Sequence, residues 1–150
     1  MTFDSLHADT DCDCLGGTFE DTSRYFARKI SRPVMKTSDF FSHWERDKFP
    51  TVLNCRNTCM HKGLSFNEWN DKTREKVISK YATTVTGQNK KGKIIKDCVL
   101  IFRLKENMGV IHFSPTQLDP SHHTFFKSDT FDVDNLELVE IIALENYVNP

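Results

Sequence analysis

Between residues 66 and 86, apolar side chains recur at steps of three and four, the spacing that places them on one face of an α-helix. Ser65 stands just ahead of this pattern and Glu68 lies in its first turn, at the two positions of a capping box, in which each side chain bonds the backbone of the other. Gly87 follows the pattern and suits the left-handed residue that often ends a helix. The pattern therefore predicts a long helix over about 66–86.

A second pattern indicates a sheet. Residues 98–102 form a continuous apolar run rich in strand-forming side chains, and Val110 begins a similar return segment. Asn107 and Gly109 lie between the two, and both residue types tolerate the positive φ angles of tight turns. We therefore predict a β-hairpin over 94–113, with a third antiparallel strand over 124–126.

Two shorter segments show weaker helical patterns. Thr37 and Ser38 offer capping groups, and Asp39 a first-turn acid, for a predicted helix over 39–47 in which the aromatic residues fall on one face. Asp134 caps another over 135–144, although the alternation of Leu136 and Leu138 also permits a strand there. The predicted fold class is α+β, a small antiparallel sheet packed against a long helix with one or two shorter helices.

The composition indicates one folded domain. The 150 residues are enough to bury a core, and we expect a single domain over 1–150. Twenty basic and twenty-one acidic residues leave a net charge of −1, which argues against a surface that is basic throughout. The polar segment 1–11 is predicted to be a flexible or metal-tethered tail. No run is long and apolar enough for a membrane span, so no membrane contact is expected.

The five cysteines are the main candidates for chemistry. The N-terminal residues lack the basic and apolar regions of a secretory signal, so we expect a reducing, cytoplasmic location in which disulfides do not persist. Thiolates and imidazoles are the ligands that zinc prefers. The sequence thus predicts a structural zinc site formed by Cys12, Cys14, Cys55 and Cys59, with His61 as a substitute ligand. If instead no metal binds, Cys55 and Cys59 are buried and the other two lie on the tail.

The remaining cysteine and the histidines are the candidates for an enzyme site. Cys98 and His112 face each other across the predicted hairpin in one register, but a thiol inside an apolar run is buried and unreactive. His122 and His123 follow Asp119 in a predicted turn, and adjacent residues of an extended segment point to opposite faces. No catalytic residue is therefore assigned.

Two basic clusters suggest contact with nucleic acid. Arg24, Arg28 and Lys29 alternate with aromatic residues, and Lys90, Lys91 and Lys93 occupy a glycine-containing loop. Basic and aromatic side chains together suit single strands, because one binds phosphates and the other stacks on bases. Short lysine runs are more often solvated surface.

The function expected from these observations is a small intracellular, zinc-stabilised module that binds a protein partner and has no catalytic activity of its own. A nucleic-acid-associated accessory domain and a small enzyme that uses Cys98, His112 or His122 are the alternatives. The sequence leaves the oligomeric state open.

Overall fold

The computed structural model describes residues 1–85 and 96–148, and its main element is a six-stranded antiparallel sheet. In chain order, the strands are β1 (Tyr25–Ile30), β2 (Leu64–Glu68), β3 (Cys98–Arg103), β4 (Gly109–Phe113), β5 (His122–Lys127) and β6 (Glu137–Ala143). Across the sheet their order is β4-β5-β2-β1-β3-β6, and every neighbouring pair is antiparallel. Most neighbours are therefore distant in the chain.

The described residues contain three short α-helices and three 3₁₀ turns. The helices are α1 (Asp4–His7), α2 (Cys55–Lys62) and α3 (Arg74–Ala82). The 3₁₀ turns are Thr37–Phe40, Val133–Asn135 and Leu144–Asn146. The predicted fold class is therefore wrong, because no long helix packs on a small sheet in the part of the chain that the structure describes.

The predicted helix over 66–86 divides into a strand, a turn and α3. Phe66 lies on β2 and points into the core, while the next residue, Asn67, points to the other face. The side chain of Asn70 then accepts from the amide of Thr73, and the Thr73 hydroxyl donates to the carbonyl of Glu68. This turn delays the helix until Arg74. Gly87 lies outside the described residues.

The predicted hairpin over 94–113 is also wrong in its pairing. Two strands, β3 and β4, are present there, but β3 pairs with β1 and β6, whereas β4 pairs with β5. The turn residues connect distant parts of the sheet, with φ of 64° at Asn107 and 155° at Gly109. The strand predicted over 124–126 lies within β5.

The two shorter predicted helices are wrong as well. Segment 39–47 contains the end of the 3₁₀ turn at Thr37–Phe40, two residues without regular structure and a turn over 43–47. Of its three aromatic residues, Phe40 is fully buried, whereas Phe41 and Trp44 are partly or largely exposed. Segment 135–144 contains β6, because Ile141 and Ile142 point to opposite faces and contact different cores. The alternation that permitted a strand there was the correct indication.

One face of the sheet carries an aromatic core. Phe66 stacks on Phe125 with ring centroids 4.8 Å apart and meets Phe102 edge-on at 4.9 Å. Phe26 joins this cluster from β1, and Phe40 covers it from outside the sheet. Burial of these large rings provides much of the apolar surface that stabilises the fold.

The opposite face has two separate covers. Helix α3 packs over β1 and β3, where Val77 and Tyr81 cluster with Ala27 and Val99. The N-terminal segment and α2 pack over β4 and β5 through an apolar cluster that includes Val110 and Phe126. A gap remains between these covers above β5, and its walls hold the candidate site described below.

Replacing Gly109 by alanine is expected to destabilise the fold by about 1 to 3 kcal/mol, because side chains rarely adopt its φ of 155°. A Cβ atom there would also overlap the carbonyl oxygen of Phe126 and lie 2.6 Å from Cε2 of Phe125. Gly16→Ala is the control, since its Cβ meets nothing within 4 Å. Urea unfolding of both variants checks the expectation, and equal midpoints would contradict it.

Candidate functional site

The four cysteines of the predicted zinc site form two disulfides instead. Cys12 is bonded to Cys55 and Cys14 to Cys59, with Cα–Cα distances of 5.2 and 5.3 Å. The extended and helical spacings do bring the sulfurs together, but sulfurs bonded in pairs are not thiolate ligands. No group of three or more His, Cys, Asp or Glu residues in the described part of the chain is placed to hold a metal. The predictions of zinc and of metal binding are therefore wrong.

The substitute ligand, His61, has other partners. Its Nδ1 atom lies 2.9 Å from the carbonyl oxygen of Asn57, and its ring centroid is 5.7 Å from that of His43. These contacts hold the imidazole against the preceding turn of α2 and against the loop that comes before this helix. His61 is therefore part of the local packing around α2.

The disulfides also correct the predicted location. Disulfides form and persist in oxidising compartments and are rare in the reducing cytosol. Two bonded pairs in one small chain point to an oxidising, non-cytoplasmic environment, so the cytoplasmic prediction is wrong. The fifth cysteine, Cys98, is free and buried on β3.

Segment 1–11, predicted to be a tail, has contacts beyond the disulfides. Asp129 accepts hydrogen bonds from the Thr2 hydroxyl and from the amides of Asp4 and Ser5, and these bonds lower its pKa to about 2. The buried ammonium of Lys62 donates to the carbonyl of Leu6 at 2.6 Å. The tether that follows this segment is covalent, not a metal ion.

The described residues of the predicted nucleic-acid surface have protein partners. Arg24 pairs with Asp21 at 2.6 Å, and Arg28 is bonded to the Asp39 carbonyl at 2.8 Å. Lys29 donates to the carbonyl of Thr84 at 2.7 Å and lies 3.7 Å from Asp97. Lys90, Lys91 and Lys93 lie outside the described residues. Contact with nucleic acid stays a prediction, and nothing in the geometry of these three side chains adds to it.

The predicted pair of Cys98 and His112 is not formed. The two residues lie on β3 and β4, which are not neighbours in the sheet. Burial raises the pKa of the Cys98 thiol, which keeps it protonated and weakly nucleophilic. His112 instead lines the gap between the two covers, with Nδ1 3.3 Å from the carbonyl oxygen of Gly17.

That gap is a cleft of about 780 Å³, which we call the outer cleft. Its walls come from both covers and its floor from the sheet, with Arg56 and Met60 on α2, Lys80 on α3, and Thr124 and His122 on β5. Three of the four disulfide-bonded cysteines also line it, which are Cys14, Cys55 and Cys59. The volume lies within the range of about 300 to 1,000 Å³ typical of ligand sites.

His122 is held in one orientation by three strands. Its Nδ1 atom lies 3.1 Å from the carbonyl oxygen of Ser114, at the end of β4, and its Nε2 atom lies 3.0 Å from Oγ of Ser65 on β2. Ser114 Oγ lies 2.8 Å from the same Nδ1 atom and 2.9 Å from the Thr124 hydroxyl. The ring is thus fixed at both nitrogens.

Burial lowers the pKa of His122, and the positive charge of Lys80 lowers it further. Asp119 and the bond to the Ser114 carbonyl act in the opposite direction but do not outweigh burial. The imidazole is therefore neutral at pH 7, with one nitrogen available to accept a proton. His123, the next residue, points to the other face and packs against Phe26.

A buried polar network positions the Lys80 side of the cleft. The amide of Asn67 accepts from the Tyr81 hydroxyl at 2.7 Å and from Lys80 at 3.2 Å, and donates to Asp119 and Ser121. Lys80 and Asp119 also form an ion pair. The amide oxygen and nitrogen are both fully used, so this network fixes α3 and the loop before β5 relative to β2.

Sequence reasoning missed Ser65, Lys80 and Ser114 as parts of one site. Ser65 resembles a helix cap because Glu68 follows it three residues later, but its hydroxyl faces His122 on the neighbouring strand. The pairing of β2 with β5 brings them together over 57 residues of chain. The alternation of His122 and Thr124 on one face was the only signal that could have indicated a polar surface here.

No protein-family model, curated protein or solved structure matches the chain. The fold and the outer cleft are therefore the basis for assigning a function. None of the helices in the described ranges is long and apolar enough to cross a membrane.

Proposed function

We propose that the protein binds a segment of a partner protein in the outer cleft and that it works in an oxidising compartment. The observation that carries this proposal is the cleft itself, which joins an apolar wall to a row of hydrogen-bonding side chains. Protein-binding sites commonly combine buried apolar anchors with polar groups that fix orientation. The two disulfides are the reason for proposing an oxidising compartment.

The chemistry of the walls supports an inserted side chain. Met60 is 63% exposed on α2 and lines the cleft together with the bridged cysteines of the same helix, which gives an apolar side chain a surface to contact. Methionine adapts its shape to different partners. Arg56 lies one helical turn before Met60, and His112 lies on β4. Both can form hydrogen bonds with the backbone and polar groups of the partner segment on either side of its inserted side chain.

The disulfides support a stable wall. They bond the N-terminal segment to α2 at both ends of the helical turn between Cys55 and Cys59, so this wall is fixed before a partner arrives. Preorganised sites lose less conformational entropy on binding. Leu118 is 95% exposed in the loop before β5, near the rim, and extends the apolar surface available to a partner.

Short random peptides displayed on phage test this proposal, with the purified, oxidised protein as bait. Selected peptides are expected to lose affinity by about tenfold or more in Arg56→Glu and Met60→Asp, since anchors of this kind cost over 1 kcal/mol when removed. Both residues are exposed, so the fold is not expected to change.

Matched controls lie outside the cleft. Lys76→Glu makes the same charge reversal on exposed α3, and Val139→Asp places an acid at a side chain that is 51% exposed on β6. Both are expected to bind the selected peptides as the native protein does. Failure to select any peptide, or equal binding by all four variants, would overturn the proposal.

A further inference from the structure

We propose that Ser65 and His122 form a nucleophile–base pair that hydrolyses carboxylic esters at the edge of the outer cleft. Ser65 is exposed on β2, and its Oγ atom lies 3.0 Å from Nε2 of His122, within hydrogen-bond reach. His122 lines the cleft and is half-buried. An accessible hydroxyl therefore stands beside a sheltered imidazole.

The hydrogen bonds of His122 decide which nitrogen carries the proton. Its Nδ1 atom lies 3.1 Å from the Ser114 carbonyl oxygen, which can only accept a hydrogen bond, and 2.8 Å from Ser114 Oγ, which accepts when its own hydrogen is donated to the Thr124 hydroxyl at 2.9 Å. With the Ser114 hydroxyl in that orientation, a proton on Nδ1 satisfies all of these contacts, and we assign the lone pair of the neutral ring to Nε2. The Ser65 hydroxyl must then donate to Nε2, as an activated serine does. The Ser114 carbonyl is the third group, which orients the base.

The charges around the pair favour this state. Two charged groups act on the half-buried His122, which are Asp119 in the loop before β5 and Lys80 on α3. The other titratable neighbour is His123, the next residue on β5. Their combined effect with burial keeps the ring neutral near pH 7.

The reaction conserves atoms and charge. Ser65 Oγ attacks the ester carbonyl carbon while its proton moves to Nε2 of His122, and the C–O bond to the alcohol then breaks as Nε2 returns the proton to the leaving oxygen. Water next attacks the acyl group on Ser65, again giving its proton to Nε2. The acid is released and Ser65 recovers its hydrogen. Water is the only co-reactant.

Labelling with a fluorophosphonate ester tests the pair. Ser65 Oγ attacks phosphorus and fluoride leaves with the proton, so one stable adduct forms. We expect peptide mapping to place the adduct on Ser65 and its formation to rise with pH to a plateau by about pH 7, because the pKa of His122 lies below its usual value near 6.5.

Variants separate this chemistry from general reactivity. Ser65→Ala is expected to abolish labelling, and His122→Asn to slow it by about 100-fold or more, the usual contribution of a general base. Ser79→Ala is the control, since Ser79 is an exposed serine on α3 away from the histidine. Absence of labelling in the native protein, or labelling that persists in Ser65→Ala, would overturn the proposal. Ser65→Ala changes an exposed side chain, so the test does not depend on how stable His122→Asn is.

This inference rests on the outer cleft being a site for ligands, but the two proposals fail separately. A small fluorophosphonate needs only the Ser65–His122 pair, whereas peptide binding needs the walls around Met60 and Arg56. Labelling of Ser65 without selected peptides would support the pair and overturn the partner proposal. Selected peptides without labelling would do the reverse.

Discussion

Replacing all four bridged cysteines by alanine is expected to lower the free energy of unfolding by about 6 kcal/mol. The two disulfides join residues 43 and 45 positions apart. In the loop-entropy account, closing one loop of that size raises the free energy of the unfolded chain by about 4 kcal/mol. The free energy of unfolding of a small domain is about 5 to 15 kcal/mol in total. The variant is therefore expected to be largely unfolded or marginally stable at 37 °C.

The first disulfide to form is expected to stabilise the fold more than the second. Once Cys12 and Cys55 are joined, the second bond closes only the short ring made of 12–14 and 55–59, which restricts the unfolded chain by about 2 to 3 kcal/mol. Removing either pair alone should therefore cost about 2 to 3 kcal/mol, less than half of the loss from removing both. The bonds are neighbours, so additivity is not expected.

Guanidinium unfolding of the two paired variants and of the fourfold variant checks these values. Dithiothreitol provides the control, since it should destabilise the native protein and leave the fourfold variant unchanged. Equal unfolding midpoints for the native and fourfold proteins would show that the bonds do not stabilise the fold. A loss that is the same for one pair as for both would contradict the ring argument.

Phe66→Ala is expected to destabilise the fold by about 3 to 5 kcal/mol, the usual cost of removing a fully buried aromatic ring. The side chain has no exposed surface and lies between the rings of Phe102 and Phe125. Neighbouring strands cannot collapse into the space without breaking their pairing, so the cavity is expected to persist.

Urea unfolding measures this loss, and Phe113→Ala is its control. Phe113 is 53% exposed at the end of β4, and its removal is expected to cost about 1 kcal/mol or less. A small effect of Phe66→Ala would place this residue on a surface, as a helix beginning at that position would allow. A large effect supports the strand.

Phe66 also shows why the sequence misleads about the fold. Its three-residue step to Trp69 matches a helix, and the capping-box residues on either side of it, Ser65 and Glu68, match a helix start. Strand β2 is only five residues long, and so short a segment is ambiguous by periodicity alone. Contacts with rings from three other strands decide the conformation, and none of these is visible from local sequence.

Strand pairing shows a second limit. The apolar run at 98–102 identifies β3, and the turn residues near Asn107 identify a change of direction. Local rules then predict that β3 and β4 pair with each other. Instead, the chain crosses the sheet between them, because β1 and β6 cover the edges of β3. Pairing between distant segments depends on the whole core.

The candidate site was predictable only in part. Spacing was enough to bring Cys12 and Cys14 together with Cys55 and Cys59, since alternate residues of a strand and residues one helical turn apart each share a face. Whether paired sulfurs bind a metal or one another depends on the compartment, which spacing does not encode. The contact of Ser65 with His122 arises from strand register, which a single sequence does not specify.

The free thiol of Cys98 affects how the protein folds under oxidation. Four cysteines allow three pairings, and a fifth reactive thiol adds further wrong ones. Cys98 is buried in β3, a strand paired on both sides, and is inert once the sheet has formed. Oxidation before the sheet forms therefore traps mispaired chains, whereas oxidation afterwards leaves only four thiols to pair. Refolding yield should thus depend on the order of these two events and rise when a disulfide isomerase allows early errors to be corrected.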